Sequence, residues 1–490
     1  GGFPNTELRS ISDVRVFDFF DYITLDDGEL PLELLYQHIL NNNSDSTILK
    51  RTFLKDKNDV IYINNSLNKD YSFSKTGTPD YSDLLLHQYI SVIEIVNPMH
   101  SLWSDGRWNK LTMAHGCYWG KCTFCDISLD YIKIYEPIAA TLIVDRMEQM
   151  ITQTDERGFH FVDEAAPPAL MKEVAIEIIK RKLVVSWWTN IRFEKSFTLD
   201  LCKLLQTSGC IAVSGGLEVA SDRLLSSIKK GVTVEQVAQV TRNFTDSGIM
   251  VHAYLMYGFP TQTVQETVDS LEMVRQLFEQ NIIQSGFWHQ FALTTHSPIG
   301  INPSEYQITP NYNEISFANN DIEFEDKTGI NHELFSFGLK KSLYNYMHGI
   351  GFELPLQEWF DFKTPKTIIK KDYIQNCLES EENFIIKTSA KIIWLGNTPL
   401  ISTYTKSKKG LSKQMLQLTF HSKINNIELK MEQEKGEWLV KILTQISIYQ
   451  NNLMSFADIK SDFENHFEDF EMFWYSKPID TLRANGLLVL

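Results

Sequence analysis

Between about Lys110 and Ile299 the chain alternates short apolar runs with longer amphipathic ones, as a strand–helix repeat does. Six runs read as strands: KLTMAHG (Lys110 to Gly116), GFHFVDE (Gly158 to Glu164), VVSWWTNIRFE (Val184 to Glu194), CIAVSGGLEV (Cys210 to Val219), MVHAYLMYGFP (Met250 to Pro260) and FWHQFALTTH (Phe287 to His296). Helical spacing marks segments between them, among them LIVDRMEQMITQT, ALMKEVAIEIIKRK, LDLCKLLQTSG and TVQETVDSLEMVRQLFEQ. In LDLCKLLQTSG, Leu201, Leu204 and Leu205 share one face and Gly209 stands where a helix end favours glycine, so Cys202 reads as a helix residue. Consecutive strands joined by helices pair in parallel through right-handed crossovers. Six such units predict an α/β fold built on a partial (β/α)6 TIM-type barrel, with an open doubly wound sheet as the alternative.

Polar and glycine residues gather at the C-terminal ends of these strands: His115 and Gly116, Asp163 and Glu164, Asn190 and Arg192, Glu218, Gly258 and Pro260, and His296. In α/β barrels that edge carries the active site, so the pattern marks one mouth. After Pro298 the character changes. ISFANNDIEFEDKTG and SKKGLSKQM are polar with little period, whereas HELFSFGLKKSLYNYMHGIG reads as helix. From about Asn425, the segments NIELKMEQEKGEWLVKILTQI, MSFADIKSDFENHF and FEMFWYSKPIDTLRANGLLVL read as three helices and a terminal strand, a winged-helix-like unit.

The 490 residues allow two or three domains. The 46 basic and 62 acidic residues give a formal charge of -16, which opposes attraction to nucleic acid or an anionic membrane; no partner of either kind is expected. No apolar run approaches the roughly 20 residues that cross a bilayer. Six cysteines, with Cys202, Cys210 and Cys377 scattered, do not form a disulfide framework, and a reducing cytoplasm is the expected compartment.

The other three sit together in AHGCYWGKCTFCD: Cys117, Cys122 and Cys125, spaced C-x4-C-x2-C. Thiolates this close in such a compartment usually hold a metal. A structural zinc takes four ligands, and His115 is available as the fourth, but the chain has no second CxxC pair. A cubane iron–sulfur cluster on three thiolates leaves one iron open, which gives the missing ligand a use.

A three-cysteine loop ending in CTFC, after the first strand of a six-unit barrel, resembles the radical S-adenosylmethionine (radical SAM) superfamily. GFHFVDE is similar to its second-strand segment near the methionine end of the cofactor, SGGLEVASDRLLSSIKKGVT to its GxES-like run with a following basic residue, and MYGFPTQTVQET to its fifth-strand G-x-P turn. The resemblance implies a 4Fe–4S cluster on Cys117, Cys122 and Cys125, with S-adenosylmethionine on the open iron. It also implies that Phe124 packs near the adenine, and that Asp163, Glu164, Glu218, Ser221, Lys230 and Gly258 lie about the cofactor. One departure is the interval YWGK, four residues where most of the superfamily has three; Gly120 absorbs the extra residue if it takes φ > 0.

The opening GGFPNTELRSISDVRVFDFFDYITLDDGELPLELL resembles the end of the cobalamin-binding domain that precedes the barrel in one branch of that superfamily. Gly1 and Gly2 match its glycine pair, Asp21 to Leu25 its strand, and Gly28 and Glu29 its Gly-Glu. The chain starts at Gly1 rather than Met, and an upstream portion carrying the cobalt ligand is expected. The implied organisation is a cobalamin-domain remnant (1–40), a linker and barrel-capping segment (41–105), the radical SAM barrel (106–300), a wrapping extension (301–424) and the C-terminal unit (425–490), with the C-terminal region mostly helical. The implied activity is reductive cleavage of S-adenosylmethionine, cobalamin-dependent and methylating an unactivated carbon. The alternatives are a cobalamin-independent rearrangement or cyclisation, or a zinc-stabilised binding module. The implied partners are a small-molecule or peptide substrate and a one-electron reductant such as flavodoxin or ferredoxin.

Overall fold

The computed structural model describes residues 14–42, 45–89, 102–104, 107–311, 321–379, 386–408, 411–421 and 426–490. The chain divides into two compact units: Gly1–Val174, Val185–Phe197 and Gly209–Ser380 in one, and Ala175–Val184, Thr198–Ser208 and Glu381–Leu490 in the other.

The first unit begins with strand β1 (Tyr22–Thr24), helix α1 (Glu29–Leu40) and strands β2 (Thr52–Asp56) and β3 (Asp59–Ile63). The strands form an antiparallel sheet in the order β1-β2-β3, packed on Val16, Ile23, Leu25 and Phe53. Arg51 ties this sheet to the following turn, donating from Nε to the Leu25 carbonyl and from Nη2 to the Asp27 carbonyl. Gly1 and Gly2 lie outside the described residues.

The strand–helix repeat then runs β4 (Asn109–Leu111), β5 (Ala114–His115), α2 (Asp130–Lys133), β6 (Glu136–Pro137), α3 (Ala140–Thr154), β7 (Gly158–Phe161), α4 (Pro168–Lys180), β8 (Ser186–Ile191), α5 (Leu199–Thr207), β9 (Cys210–Glu218), α6 (Asp222–Ile228), α7 (Val234–Asp246), β10 (Met250–Tyr257), α8 (Val264–Glu279) and β11 (Ser285–Gln290), with α5 and the C-terminal part of α4 counted in the second unit. Six strands make one parallel sheet, in the order β4-β7-β8-β9-β10-β11. Spatial order follows chain order, so this is a partial barrel and not a doubly wound sheet, whose order would reverse at a switch point. The first strand run is shorter than its sequence pattern: β4 ends at Leu111, and Ala114 and His115 pair instead with Glu136 and Pro137.

Strand alternation separates the paired tryptophans. Trp187 joins the fully buried Phe159 and Phe161 on one face, with the Phe161 and Trp187 rings edge-to-face at 5.7 Å. Trp188 faces the other way and stacks on His160 at 3.5 Å, beside Trp103 and Ala212. Strand β9 is buried along nearly its whole length, which is why its sequence is a continuous apolar and small-residue run.

The second unit has a core that includes Ile392, Trp394, Leu416, Leu418, Phe420, Trp438, Phe463 and Leu482. Strands Leu400–Lys408, Leu411–His421 and Asn426–Glu432 form an antiparallel sheet, and Ile392–Trp394 pairs with the terminal Leu487–Val489. Helices Gln433–Gln445, Phe456–Glu464, Phe470–Trp474 and Lys477–Ala484 complete it. The expectation of a mostly helical C-terminal region needs correction. NIELKME is a strand, with the alternating burial of a half-covered sheet, and its helix starts only at Gln433. Among the described residues no helix is long and apolar enough to cross a membrane.

Phe161→Ala is expected to lower unfolding free energy by about 3–5 kcal/mol, because it leaves a cavity against Trp187 and Phe159. Urea denaturation of the purified protein measures it.

Candidate active site

The three cysteines occupy a loop with little regular structure, so neighbouring backbone fixes it. Gly116 takes φ +72°, and a Cβ there would lie 2.1 Å from the Ile134 carbonyl oxygen, a position only glycine fills. Cys117 N–H donates to the Ile132 carbonyl (3.0 Å), and Thr123 N–H, between the other two cysteines, donates to the Ile228 carbonyl (2.9 Å). Gly120 has φ +55°, so the four-residue interval turns where the sequence allows it.

The loop faces a cavity of about 350 Å³. The thiols of Cys117, Cys122 and Cys125 line one side, with Phe124 beside them. Asp163 and Glu164 follow the end of β7; Asn190, Ile191 and Arg192 come from the end of β8; Ser214, Gly216 and Glu218 from β9, Tyr254 from β10 and His289 from β11. Lys230, in the turn after α6, completes it. The site therefore lies at the C-terminal edge of the parallel sheet, as in barrel enzymes.

Burial pushes the Cys125 thiol up to about 12, aided by the neighbouring Cys122, Glu164, Cys117 and Asp126. Burial also raises Cys122, against the opposing pull of Lys230 and Arg192. The Cys122 and Cys125 thiols, held partly dry, become thiolates only opposite strong positive charge, and a metal centre supplies it. The donor set and the cavity thus fit a cluster. His115, the candidate fourth zinc ligand, is not among the cavity residues, and its Nε2 lies 3.6 Å from Asp27 Oδ1.

Glu218 and Lys230 form a buried ion pair, Nζ to Oε1 2.6 Å. A one-residue register shift on β9 opposite Tyr254 and Leu255 lets Glu218 adopt φ +60°, rare for a residue with a side chain. Gly216 makes the pair possible: a Cβ there would lie 2.0 Å from Glu218 Oε1. Burial works to pull the Lys230 ammonium down, but Glu218 outweighs it and the net shift is upward.

Asp163 does something different from what its sequence position suggests. Its carboxylate accepts the backbone N–H groups of Met113 (3.0 Å) and Ala114 (2.9 Å), fastening the chain that leads into the cysteine loop. Burial, opposed by those donors, pushes Asp163 up to about 7. Glu164 is exposed to the cavity, and the surrounding wall raises its pKa by desolvation. Burial lowers the pKa of His289 and raises that of Tyr254, whose hydroxyl bonds to Ser214.

Of the residues singled out in the sequence, Cys117, Cys122, Cys125, Phe124, Asp163, Glu164, Glu218 and Lys230 converge on this cavity. Ser221 and Gly258 do not line it. Ser221 begins α6 with its hydroxyl 3.5 Å from Glu266, and Gly258 N–H donates to Gln262 Oε1 while its Cα faces His332. Ser214 and Tyr254, which also line the cavity, lie mid-strand, away from the polar strand ends that mark the mouth in the sequence. Alternation of inward positions along CIAVSGGLE and MVHAYLMY was the available signal.

A six-strand parallel partial barrel with a three-thiol loop at its C-terminal mouth defines a class of cofactor-binding α/β barrel. Residues 111–274 match the sequence model of the Radical SAM superfamily. The chain is 26% identical over 219 residues to an uncharacterized methyltransferase of Pyrococcus horikoshii, covering 44% of this chain and 45% of that one. It is 28% identical over 201 residues to the anaerobic magnesium-protoporphyrin IX monomethyl ester cyclase of Rubrivivax gelatinosus, covering 40% and 34%. The chain thus matches less than half the length of either relative. In fold it is similar to the radical S-adenosylmethionine methyltransferase TsrM of Kitasatospora setae, solved with tryptophan substrate and a SAM analog bound. That similarity has a TM-score of 0.50 and 15% identity over 68% of each chain.

Two outcomes test this geometry. Glu218→Ala is expected to destabilise the protein by about 3–5 kcal/mol by stranding the Lys230 charge, whereas Glu218→Gln with Lys230→Met costs less, as chemical denaturation would show. For Asp163, the folded state holds a proton that the unfolded chain releases near the ordinary carboxylate value of 3.8. Its contribution is present below about pH 4 and is lost as pH rises through about 7, on the order of a few kcal/mol. Unfolding free energies at pH 5 and pH 8 should differ less in Asp163→Asn than in the parent.

Proposed function

We propose that the protein is a radical SAM enzyme that holds a 4Fe–4S cluster on Cys117, Cys122 and Cys125 and cleaves S-adenosylmethionine. It works with cobalamin to methylate an unactivated carbon. The observation that carries this reading is the convergence of three free thiols and the Glu218–Lys230 pair on one cavity at the barrel mouth. When bound, the cluster supplies the electron that splits the sulfonium into methionine and a 5′-deoxyadenosyl radical, and cobalamin carries the methyl group.

The chain's own residues bind and orient. Phe124 offers an aromatic face to the adenine, and the partly buried loop limits water at the thiols. Glu218, held by Lys230, and Glu164, open to the cavity, present carboxylate oxygens for hydroxyl or ammonium groups of the cofactor. Asp163 and Gly116 keep the loop in place rather than touching the ligand. The similarity to a protein described as a methyltransferase supports methyl transfer, and the cobalamin-domain resemblance of residues 1–40 supports the second cofactor. The similarity to a cyclase supports radical cyclisation or rearrangement as the second reading. The substrate is a small molecule or peptide, the electron comes from a flavodoxin or ferredoxin, and the setting is the cytoplasm.

Anaerobic reconstitution is expected to give about four irons and four sulfides per chain, and 5′-deoxyadenosine when S-adenosylmethionine and a reductant are added. Cys122→Ala should remain folded by circular dichroism and release no 5′-deoxyadenosine. A protein that takes up one zinc and no iron, or a variant that cleaves fully, defeats the assignment. S-adenosylhomocysteine with a methylated product, dependent on cobalamin, selects methylation over cyclisation.

A further inference from the structure

Trp119 lies inside the four-residue interval between Cys117 and Cys122. Its indole Nε1 donates to the Lys229 carbonyl (2.9 Å), and its ring lies against Gly231, where a Cβ would come within 2.3 Å of it. The Arg192 guanidinium carbon sits 3.9 Å from the ring centroid, at the distance of a cation–π contact. Arg192 is held on its other sides as well. Nε donates to Glu194 Oε1 (2.8 Å), Nη2 donates to the Lys230 carbonyl (2.6 Å), and the Tyr118 hydroxyl donates to that same Glu194 oxygen (3.1 Å). Tyr118 and Trp119, adjacent in the loop, thus hold the guanidinium through its carboxylate partner and its face.

One nitrogen is left over. Arg192 is 3% exposed, its Nη1 is buried with no hydrogen-bond partner among the described residues, and the residue lines the cavity that the thiols share. A buried guanidinium N–H without an acceptor is costly, and its natural complement is an anionic oxygen.

We propose that Trp119 is a positioning residue that fixes Arg192 so that Nη1 donates to the carboxylate of S-adenosylmethionine. This gives the lengthened cysteine interval a function: the loop carries its own clamp for the arginine that meets the cofactor's amino-acid end. The inference rests on the S-adenosylmethionine reading above.

The test is calorimetric titration of the cluster-reconstituted protein, under anaerobic conditions, with S-adenosylhomocysteine and with 5′-methylthioadenosine. The second compound keeps the adenosine and thioether but has no carboxylate. Trp119→Leu and Arg192→Lys should each weaken S-adenosylhomocysteine binding by about tenfold or more, in line with a charged hydrogen bond. Methylthioadenosine should bind the variants as it binds the parent, and Trp119→Phe, which keeps a ring over the guanidinium, should retain most of the affinity. Equal losses for both ligands would reduce Trp119 to a structural role, and unchanged S-adenosylhomocysteine binding would place the carboxylate elsewhere; either overturns the proposal. A parent protein that binds neither compound overturns the S-adenosylmethionine reading itself.

Discussion

A loop that must hold three thiols against one wall of a cavity cannot rely on its own hydrogen bonds, and here the backbone around it supplies them. Asp163 accepts the N–H groups of Met113 and Ala114 on the approach, Ile132 receives Cys117, and Ile228 receives Thr123. Each anchor belongs to a different part of the repeat: the end of β7, the short helix α2 and the last turn of α6. The cysteines are therefore placed by the order in which the strands and helices assemble. A change in any anchor moves them without touching a sulfur.

Charge follows the same division of labour. The chain as a whole is strongly acidic, yet Lys230 and Arg192 bring positive charge to the wall near Cys122. Glu218 neutralises Lys230, and Glu194 and the Trp119 ring occupy two sides of Arg192, leaving its Nη1 without an acceptor among the described residues. Buried ions without such partners would move to their neutral forms or unfold the site. The positive φ of Glu218 is the strain that this arrangement stores, permitted by the register shift in β9.

Much of this was legible in the chain. Six strand runs and their polar ends gave the barrel and its mouth, and the C-x4-C-x2-C spacing gave the donor set, because both depend on local periodicity and on residue chemistry. Gly120 could be assigned a left-handed turn for the same reason. Ser221 and Gly258 fall outside the cavity lining because a family motif reports that a segment lies near a site, not which of its atoms face it. Nothing local reveals that the Asp163 carboxylate accepts backbone N–H groups fifty residues earlier in the chain. The strand Asn426–Glu432 was read as helix although its burial alternates, since the helical run that follows dominated the pattern.

Periodicity, glycine placement and thiol spacing act over a few residues, so the strand–helix repeat, its parallel order and the three-thiol donor set of AHGCYWGKCTFCD follow from the linear chain. Which side chains share the cavity and which serve as anchors depends on contacts made when the strands and helices pack. The Glu218–Lys230 pair, the Tyr118–Glu194–Arg192–Trp119 assembly and the turning away of His115 toward Asp27 all join residues distant in sequence. Burial and partner geometry, which a linear pattern does not encode, fix their roles.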